Sequence, residues 1–282
     1  MAIAVDNHAV RESFVNAIKP IWCAGCGDFY VLAALSDSLV EQGLRTHEVA
    51  VVSGIGCSSR LPGYMSCYGF NSIHGRAVPI ATGLKLARPD ITVVCAAGDG
   101  DAFSIGGGHL IHGVRRDVDI TYIVMDNGIY GLTKGQASPT TPRGAVTKTS
   151  EGGANDMPVN PLELMLTYGA GFVAQAYAAD QRGMQRLFVE AMAHRGFSYV
   201  NVISPCPTFR GGMGIYKDLR QMLSPLKVEE HDVADFDAAM QVARDVDKLY
   251  TGVLYKRPER ADSEQRNART AEEALALAEQ YK

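Results

Sequence analysis

The 282-residue sequence has no uncharged apolar run approaching the ~18 residues that a membrane-spanning helix requires. Its first residues (MAIAVDNHAV) carry neither a basic n-region nor an apolar h-region. A membrane protein and an exported protein are both a poor match, and the expectation is a cytoplasmic protein. Basic surplus is missing too: 27 Lys and Arg stand, intermixed, against 31 Asp and Glu, for a formal charge of −4. Binding to a phosphate backbone draws on a positive excess, so nucleic acid is not an expected partner. There is no internal repeat and no low-complexity segment. What is there is ordinary for a globular chain: 46% apolar and 21% charged residues, enough for a substantial core and against disorder. The length suits one large α/β domain with appendages better than two domains.

Short apolar runs, mostly β-branched and bounded by turn formers, predict strands over residues 49–53, 91–97, 120–126, 172–176 and 199–203. Helical spacing predicts helices over 28–41 (closed by Gly43), 77–87 (closed by Pro89), 103–114, 161–168 and 180–194 (closed by Gly196). Parallel strands need crossovers, and here the crossovers are helices, so the order predicts an open, doubly wound parallel sheet. Residues 131–160 form a period-free stretch rich in Thr, Pro, Gly and Lys, and insertions that long tend to be functional. Beyond Cys206 come a glycine-rich turn over 210–214 and, from residue 228, a charged tail ending in a helix-like 270–280. This divides the chain into a binding domain, 1–224, and a C-terminal helical extension, 225–282.

In such a sheet ligands gather beyond the carboxyl ends of the strands. Those positions carry Gly54-Ile55-Gly56-Cys57, Gly98-Asp99-Gly100-Asp101, Asn127-Gly128-Ile129-Tyr130 and Ser204-Pro205-Cys206-Pro207. Gly98-Asp99-Gly100 followed by 26 residues and then Asn127 matches the spacing of the thiamine diphosphate fingerprint. Mg²⁺ is a hard cation that takes oxygen ligands and shares them with phosphate. Asp99, the Asn127 amide oxygen and the Ile129 carbonyl would supply the protein's share. Gly98 and Gly100 would let the backbone approach the diphosphate, with a helix opening at Phe103 presenting its amides. The competing reading is a glycine-rich βα turn with a capping aspartate. A Rossmann reading is weaker, because Gly54-Ile55-Gly56 lacks the third glycine.

Of six cysteines, Cys23 and Cys26 precede the first helix, which starts at the same edge where Cys57 and Cys206 follow strands, so the four can converge. Without an export signal they are better read as ligands than as disulfides. Tetrathiolate ligation suits Zn²⁺ or an iron-sulfur cluster; structural zinc usually uses two close pairs, and the position beside thiamine favours [4Fe-4S]. Cys67 and Cys95 read as small core residues. His109 and His112 read as packing or surface residues. His74 can donate to an anionic oxygen or merely precede a helix, and Lys134 can pair with a carboxylate or stay solvated.

On Trp22-Cys23-Ala24-Gly25-Cys26-Gly27, Gly54-Ile55-Gly56-Cys57-Ser58, His74-Gly75-Arg76, Gly98-Asp99-Gly100-Asp101, Asp126-Asn127 with residues 130–136, and Ser204-Pro205-Cys206-Pro207, the chain resembles the β subunits of 2-oxoacid:ferredoxin oxidoreductases, closest to the 2-oxoglutarate branch. The resemblance runs from about Pro20 to Arg210. It implies a [4Fe-4S] cluster on Cys23, Cys26, Cys57 and Cys206, and thiamine diphosphate with Mg²⁺ at Asp99, Asn127 and Ile129. It places Gly56, Cys57, His74, Gly98, Gly100 and Asp101 around the cofactor, with His74 and Asp101 touching the diphosphate and Lys134 meeting the substrate. It further implies an α subunit that supplies an activating glutamate, ferredoxin as electron acceptor, and a 2-oxoacid and coenzyme A as substrates. Pyruvate or a broad range of 2-oxoacids, and a thiamine-dependent decarboxylase without redox chemistry, are the alternatives. One departure is Arg210, where relatives often carry asparagine.

Overall fold

The computed structural model describes residues 14–227 and 229–258. Chain order is α1 (Asp28–Glu41), β1 (Val49–Ser53), a 3₁₀ turn (Ser58–Tyr64), β2 (Tyr68–Asn71), α2 (Ala77–Ala87), β3 (Thr92–Gly98), α3 (Asp99–Phe103), α4 (Gly107–Arg115) and β4 (Ile120–Asp126). After the long loop come α5 (Pro161–Tyr168), β5 (Phe172–Tyr177), α6 (Gln181–Ala193), β6 (Phe197–Ile203), α7 (Ile215–Met222), β7 (Leu223–Pro225), α8 (Phe236–Arg244) and β8 (Leu249–Lys256). The strands form one eight-stranded sheet in the order β2-β1-β3-β4-β6-β5-β8-β7. Every neighbouring pair is parallel except β5 with β8. The expected doubly wound sheet is therefore present, and the ends of β1, β3, β4 and β6 share one edge.

Two apolar layers hold it. Val31, Leu35 and Leu39 of α1 and Met184 and Phe188 of α6 pack against Val51, Ala96, Ile123 and Val200 on one face. Val78, Leu110, Met165 and Ala239 from α2, α4, α5 and α8 cover Val52, Val93, Tyr122 and Tyr199 on the other. Strands covered on both faces read as continuous apolar runs, which is why the central ones are visible in the sequence. Helix ends carry local signals: the Asn160 side chain accepts from Glu163 N ahead of Pro161, and Gly169 closes α5 at φ +86°. Asp180 caps α6 by accepting from Gly183 N.

The helix expected over 103–114 is divided. Phe103 ends α3 rather than opening a helix, and α4 starts at Gly107. Between them the backbone of Gly106 meets that of Gly75: a Cβ on Gly75 would come to 2.5 Å of Gly106 N, so the two turns fit only as glycines. The extension expected from residue 225 is described to residue 258 and gives α8 and β8; β8 pairs with β5, so this part is built into the sheet. The helix expected over 270–280 lies outside the described residues. Among the described residues no helix is long and apolar enough to cross a membrane.

Candidate active site at the carboxyl edge of the sheet

Asp99 is the first residue of α3, directly beyond β3, and is 1% exposed. Its Oδ1 accepts from Asn127 N at 3.3 Å and its Oδ2 from Thr140 Oγ1 at 2.9 Å. The same Thr140 oxygen lies 2.7 Å from Asp126 Oδ1, at the end of β4. One hydroxyl hydrogen cannot serve two carboxylates. Burial therefore pushes Asp99 above the usual carboxylate range, and burial with the neighbouring Asp99 charge pushes Asp126 up to about 7. Two under-neutralised buried carboxyls at a strand edge are the donor chemistry a divalent cation relieves. Asn127 Oδ1 accepts from Ile129 N at 3.0 Å, and the turn between them needs Gly128 at φ +64°. Asp99, Asn127 and Ile129 are thus neighbours through these bonds, and each carries oxygen, the donor type that Mg²⁺ takes.

The glycines around them serve partners the sequence did not reveal. What approaches Gly98 is Ser58: a Cβ there would come to 2.9 Å of Ser58 Oγ. Gly100 lies against the ring of Tyr130, whose hydroxyl donates to the Gly100 carbonyl at 3.1 Å. Gly56 is required by its φ of +128°, since a Cβ would meet nothing within 4 Å.

The Asp101 side chain has a structural partner set that the sequence did not reveal. Its Oδ1 accepts from Ile55 N and Gly75 N, both at 2.9 Å, which fastens the turn after β1 to the turn before α2. The carboxylate therefore acts as a buried clamp. Unpairing such amides costs about 1–3 kcal/mol each. His74 Nδ1 lies 3.0 Å from Asp101 Oδ1 but without hydrogen-bond alignment, and it stays a buried polar atom lacking a partner. The rest of the imidazole is partly exposed beside Tyr130.

The four cysteine turns are knit together. Cys26 N donates to Cys23 O at 3.1 Å, Gly27 N donates to Pro205 O at 3.0 Å, and Ser204 Oγ donates to Asp28 Oδ1 at 2.7 Å. Trp22 Nε1 donates to Cys57 O at 2.7 Å. Gly131 lies beside two of the cysteines: a Cβ there would stand 3.5 Å from Cys57 Sγ and 3.9 Å from Cys206 Sγ. Burial, with the Asp28 charge, pushes Cys57 up to about 11, and Cys26 and Cys206 are raised as well. Such thiols ionise when a cationic group binds them. Among the described residues no three Cys, His, Asp or Glu side chains are grouped to hold a single metal ion. Four thiolates are the donor set of either a zinc ion or an iron-sulfur cluster.

Cys95 is fully buried among core residues, and Cys67 packs at the rim of the other layer, both as expected. Lys134 stands on the exposed tip of a tight turn, with Lys134 N donating to Gly131 O at 3.0 Å and Gly135 N donating to Tyr130 O at 2.8 Å. Its φ of +76° is rare for a side-chain-bearing residue and is held by this turn. Among the described residues it has no ion-pair partner. Thr140 and Thr141 escaped the sequence reading, because they lie in a segment without periodicity; Asp126 and Tyr130 stood in the quoted motifs without a role, and Asp126, beside Asn127, could have been suspected as a second acid.

Comparison with known proteins agrees with this geometry. The family described as thiamine pyrophosphate enzyme, C-terminal TPP binding domain, matches residues 54–202. The family of the C-terminal part of the pyruvate ferredoxin oxidoreductase beta subunit matches residues 206–272. The 2-oxoglutarate oxidoreductase subunit KorB of Mycobacterium tuberculosis is 50% identical over 207 residues, 73% of this chain and 56% of that protein, so the match spans little more than half of the relative. The 2-oxoglutarate synthase subunit KorB of Methanothermobacter marburgensis is 42% identical over 212 residues, 75% of this chain and 74% of its own. A solved 2-oxoglutarate:ferredoxin oxidoreductase from Magnetococcus marinus, with 2-oxoglutarate, coenzyme A and succinyl-CoA bound, superposes with a TM-score of 0.85 at 43% identity over 96% of this chain and 90% of that one. The chain belongs to the family of 2-oxoacid:ferredoxin oxidoreductase β subunits.

Proposed function

We propose that this chain is the cofactor-binding subunit of an enzyme that oxidatively decarboxylates 2-oxoglutarate to succinyl-CoA and CO₂ and passes the electrons to ferredoxin through a [4Fe-4S] cluster held by this chain. The observation that carries the reading is the meeting, at one sheet edge, of an oxygen-donor cation site and four knit cysteine turns.

Asp99, Asn127 and Ile129 would hold the Mg²⁺ of thiamine diphosphate, and Cys23, Cys26, Cys57 and Cys206 the cluster. Thiamine diphosphate, when bound, supplies the electron sink for decarboxylation, and the cluster accepts electrons one at a time. The chain's own residues position these groups. Asp101 clamps the turn carrying Gly54 to Gly56, and with it Cys57, to the His74 turn. Tyr130 seals Gly100, and the turn over 130–136 holds Lys134 beside the cysteine edge, where its ammonium can meet a 2-oxoacid carboxylate. Lys134→Met should raise KM for the 2-oxoacid by about tenfold or more with thiamine diphosphate affinity unchanged; steady-state kinetics and calorimetry on the same variant check it. Unchanged kinetics would return Lys134 to a solvated loop.

Among the described residues, the carboxylates that directly flank the strand ends and the cysteine turns are each engaged otherwise than with an aminopyrimidine ring. Asp28 bonds Ser204, Asp99 and Asp126 share Thr140, and Asp101 is a clamp. The reading therefore requires an α subunit. The chain without its partner should show no 2-oxoglutarate-dependent reduction of ferredoxin in the presence of coenzyme A, and the assembled complex should show it. Turnover by the single chain would place the activating group here instead.

A further inference from the structure

Three successive carbonyls leave β4, and the fold treats them unequally. Arg210 Nη1 donates to Asn127 O at 3.0 Å, and Thr141 Oγ1 donates to Gly128 O at 2.7 Å. Among the described residues no donor reaches Ile129 O. Both donors are themselves fixed. Arg210 N donates to Cys206 O at 2.9 Å, which ties the backbone of this residue to the cysteine turn. The guanidinium lies so close over the turn that a Cβ on Gly128 would collide with it. Thr141 is 4% exposed, and its Oγ1 accepts from Ser138 N at 2.7 Å while donating to Gly128.

We propose that Arg210 and Thr141 are positioning residues that select the carbonyl offered to the cation. By engaging the carbonyls of Asn127 and Gly128 they leave that of Ile129 as the one available for a metal bond. The inference rests on the proposed Mg²⁺ and thiamine diphosphate reading. It follows from a physical oddity: a guanidinium beside a divalent cation repels it, so Arg210 is not placed to attract the metal by charge. What it does is hold a backbone oxygen out of the competition. An unengaged carbonyl on a Gly-containing turn is a rival ligand, because one peptide rotation would present it. Mg²⁺ accepts only near-octahedral ligation at short distances, whereas Ca²⁺ tolerates irregular and larger ligand sets. Selection of one carbonyl thus matters for Mg²⁺ and little for Ca²⁺.

The test uses the assembled complex, stripped of thiamine diphosphate and divalent ions by a chelator without oxygen, and titrated calorimetrically with thiamine diphosphate in Mg²⁺ or in Ca²⁺. Arg210→Met and Thr141→Val should each weaken Mg²⁺-supported binding by about tenfold or more, as outer ligands to metal sites do, and weaken Ca²⁺-supported binding less, so the Mg²⁺ preference narrows. Arg210→Lys keeps a donor and should recover most of the preference. Equal losses with the two ions, or Mg²⁺-supported binding within about twofold of the parent in both variants, overturns the inference. Should Arg210→Met fail to fold, Thr141→Val and Arg210→Lys decide by the same ratio. If the unaltered complex binds thiamine diphosphate with neither ion, the reading of the site itself fails, which is a different result from an unaltered preference.

Discussion

Replacing Cys57 or Cys206 by alanine is expected to remove most of the iron and the brown colour of the chain while thiamine diphosphate still binds. The two functions part because they sit on separate turns. Asp99, Asn127 and Ile129 follow β3 and β4, whereas Cys57 follows β1 and Cys206 follows β6, and the hydrogen bonds that fix the cation donors run among Asp99, Asn127, Ile129 and Thr140 rather than to a cysteine side chain. The side chains of these cysteines are half-buried rather than core, so alanine removes a ligand without opening a large cavity. Folding should survive. The thiols are held neutral by burial and by Asp28, which means that the binding group itself must supply the positive charge that ionises them; with one thiolate gone, three remain and one iron loses its protein anchor. The readouts are iron and sulfide content, visible absorbance and calorimetric titration of thiamine diphosphate on the same preparation. Full iron and colour in both variants would show that these cysteines are not ligands.

Asp99→Ala should abolish Mg²⁺-dependent binding of thiamine diphosphate, a loss of about 100-fold or more, since it removes the only carboxylate among the expected ligands and leaves the diphosphate charge poorly neutralised. Asn127→Ala should act in the same direction with a smaller loss, because an amide oxygen is a weaker donor than a carboxylate and waters can replace it. Stability is expected to part from binding. Without metal, Asp99 and Asp126 are two buried carboxyls sharing one Thr140 hydroxyl, so removing Asp99 relieves repulsion, which offsets the unpairing of Asn127 N, and the metal-free chain should melt close to its parent. A melting temperature that holds or rises while binding disappears would separate loss of the site from loss of the fold. Near-normal affinity in Asp99→Ala would move the cation elsewhere.

The central sheet was legible because its strands are covered on both sides. Residues 49–53 and 120–126 are apolar runs of the expected bounds, and α1, α2 and α5 coincide with their predicted spans. The edges were not legible for the complementary reason. All four residues of β2 are exposed, so no hydrophobic pattern marks it, and β8 is mostly half-buried and pairs antiparallel at the far side of β5. The split between α3 and α4 falls at Gly106-Gly107-Gly108, poor helix formers that the apolar spacing of 103–114 masked, and the close approach of Gly75 to Gly106 is visible only once the chain has folded.

The site shows the same division. The candidate ligands are legible as residue types at marked places, with Asp99, Asn127, Cys57 and Cys206 just beyond strands and Cys23 and Cys26 ahead of α1. The supporting contacts are not. Thr140, Thr141 and Arg210 come from loops with no period, and they matter through single hydrogen bonds rather than through pattern. Asp101 illustrates the limit: an acid in a glycine-rich turn suggests a cofactor contact, while the two amides that claim it come from residues 46 and 26 positions away.

The most direct test of the proposed function is the location and amount of iron. The chain, purified without oxygen both alone and with its α subunit, is to be assayed for iron, sulfide and zinc, with the subunits then separated and each analysed. The expected result is about four irons and matching sulfide on this chain, as a tetrathiolate [4Fe-4S] cluster requires, together with thiamine diphosphate and 2-oxoglutarate-dependent reduction of ferredoxin in the complex. Iron found only on the partner subunit, or zinc in place of iron on this chain, would contradict it.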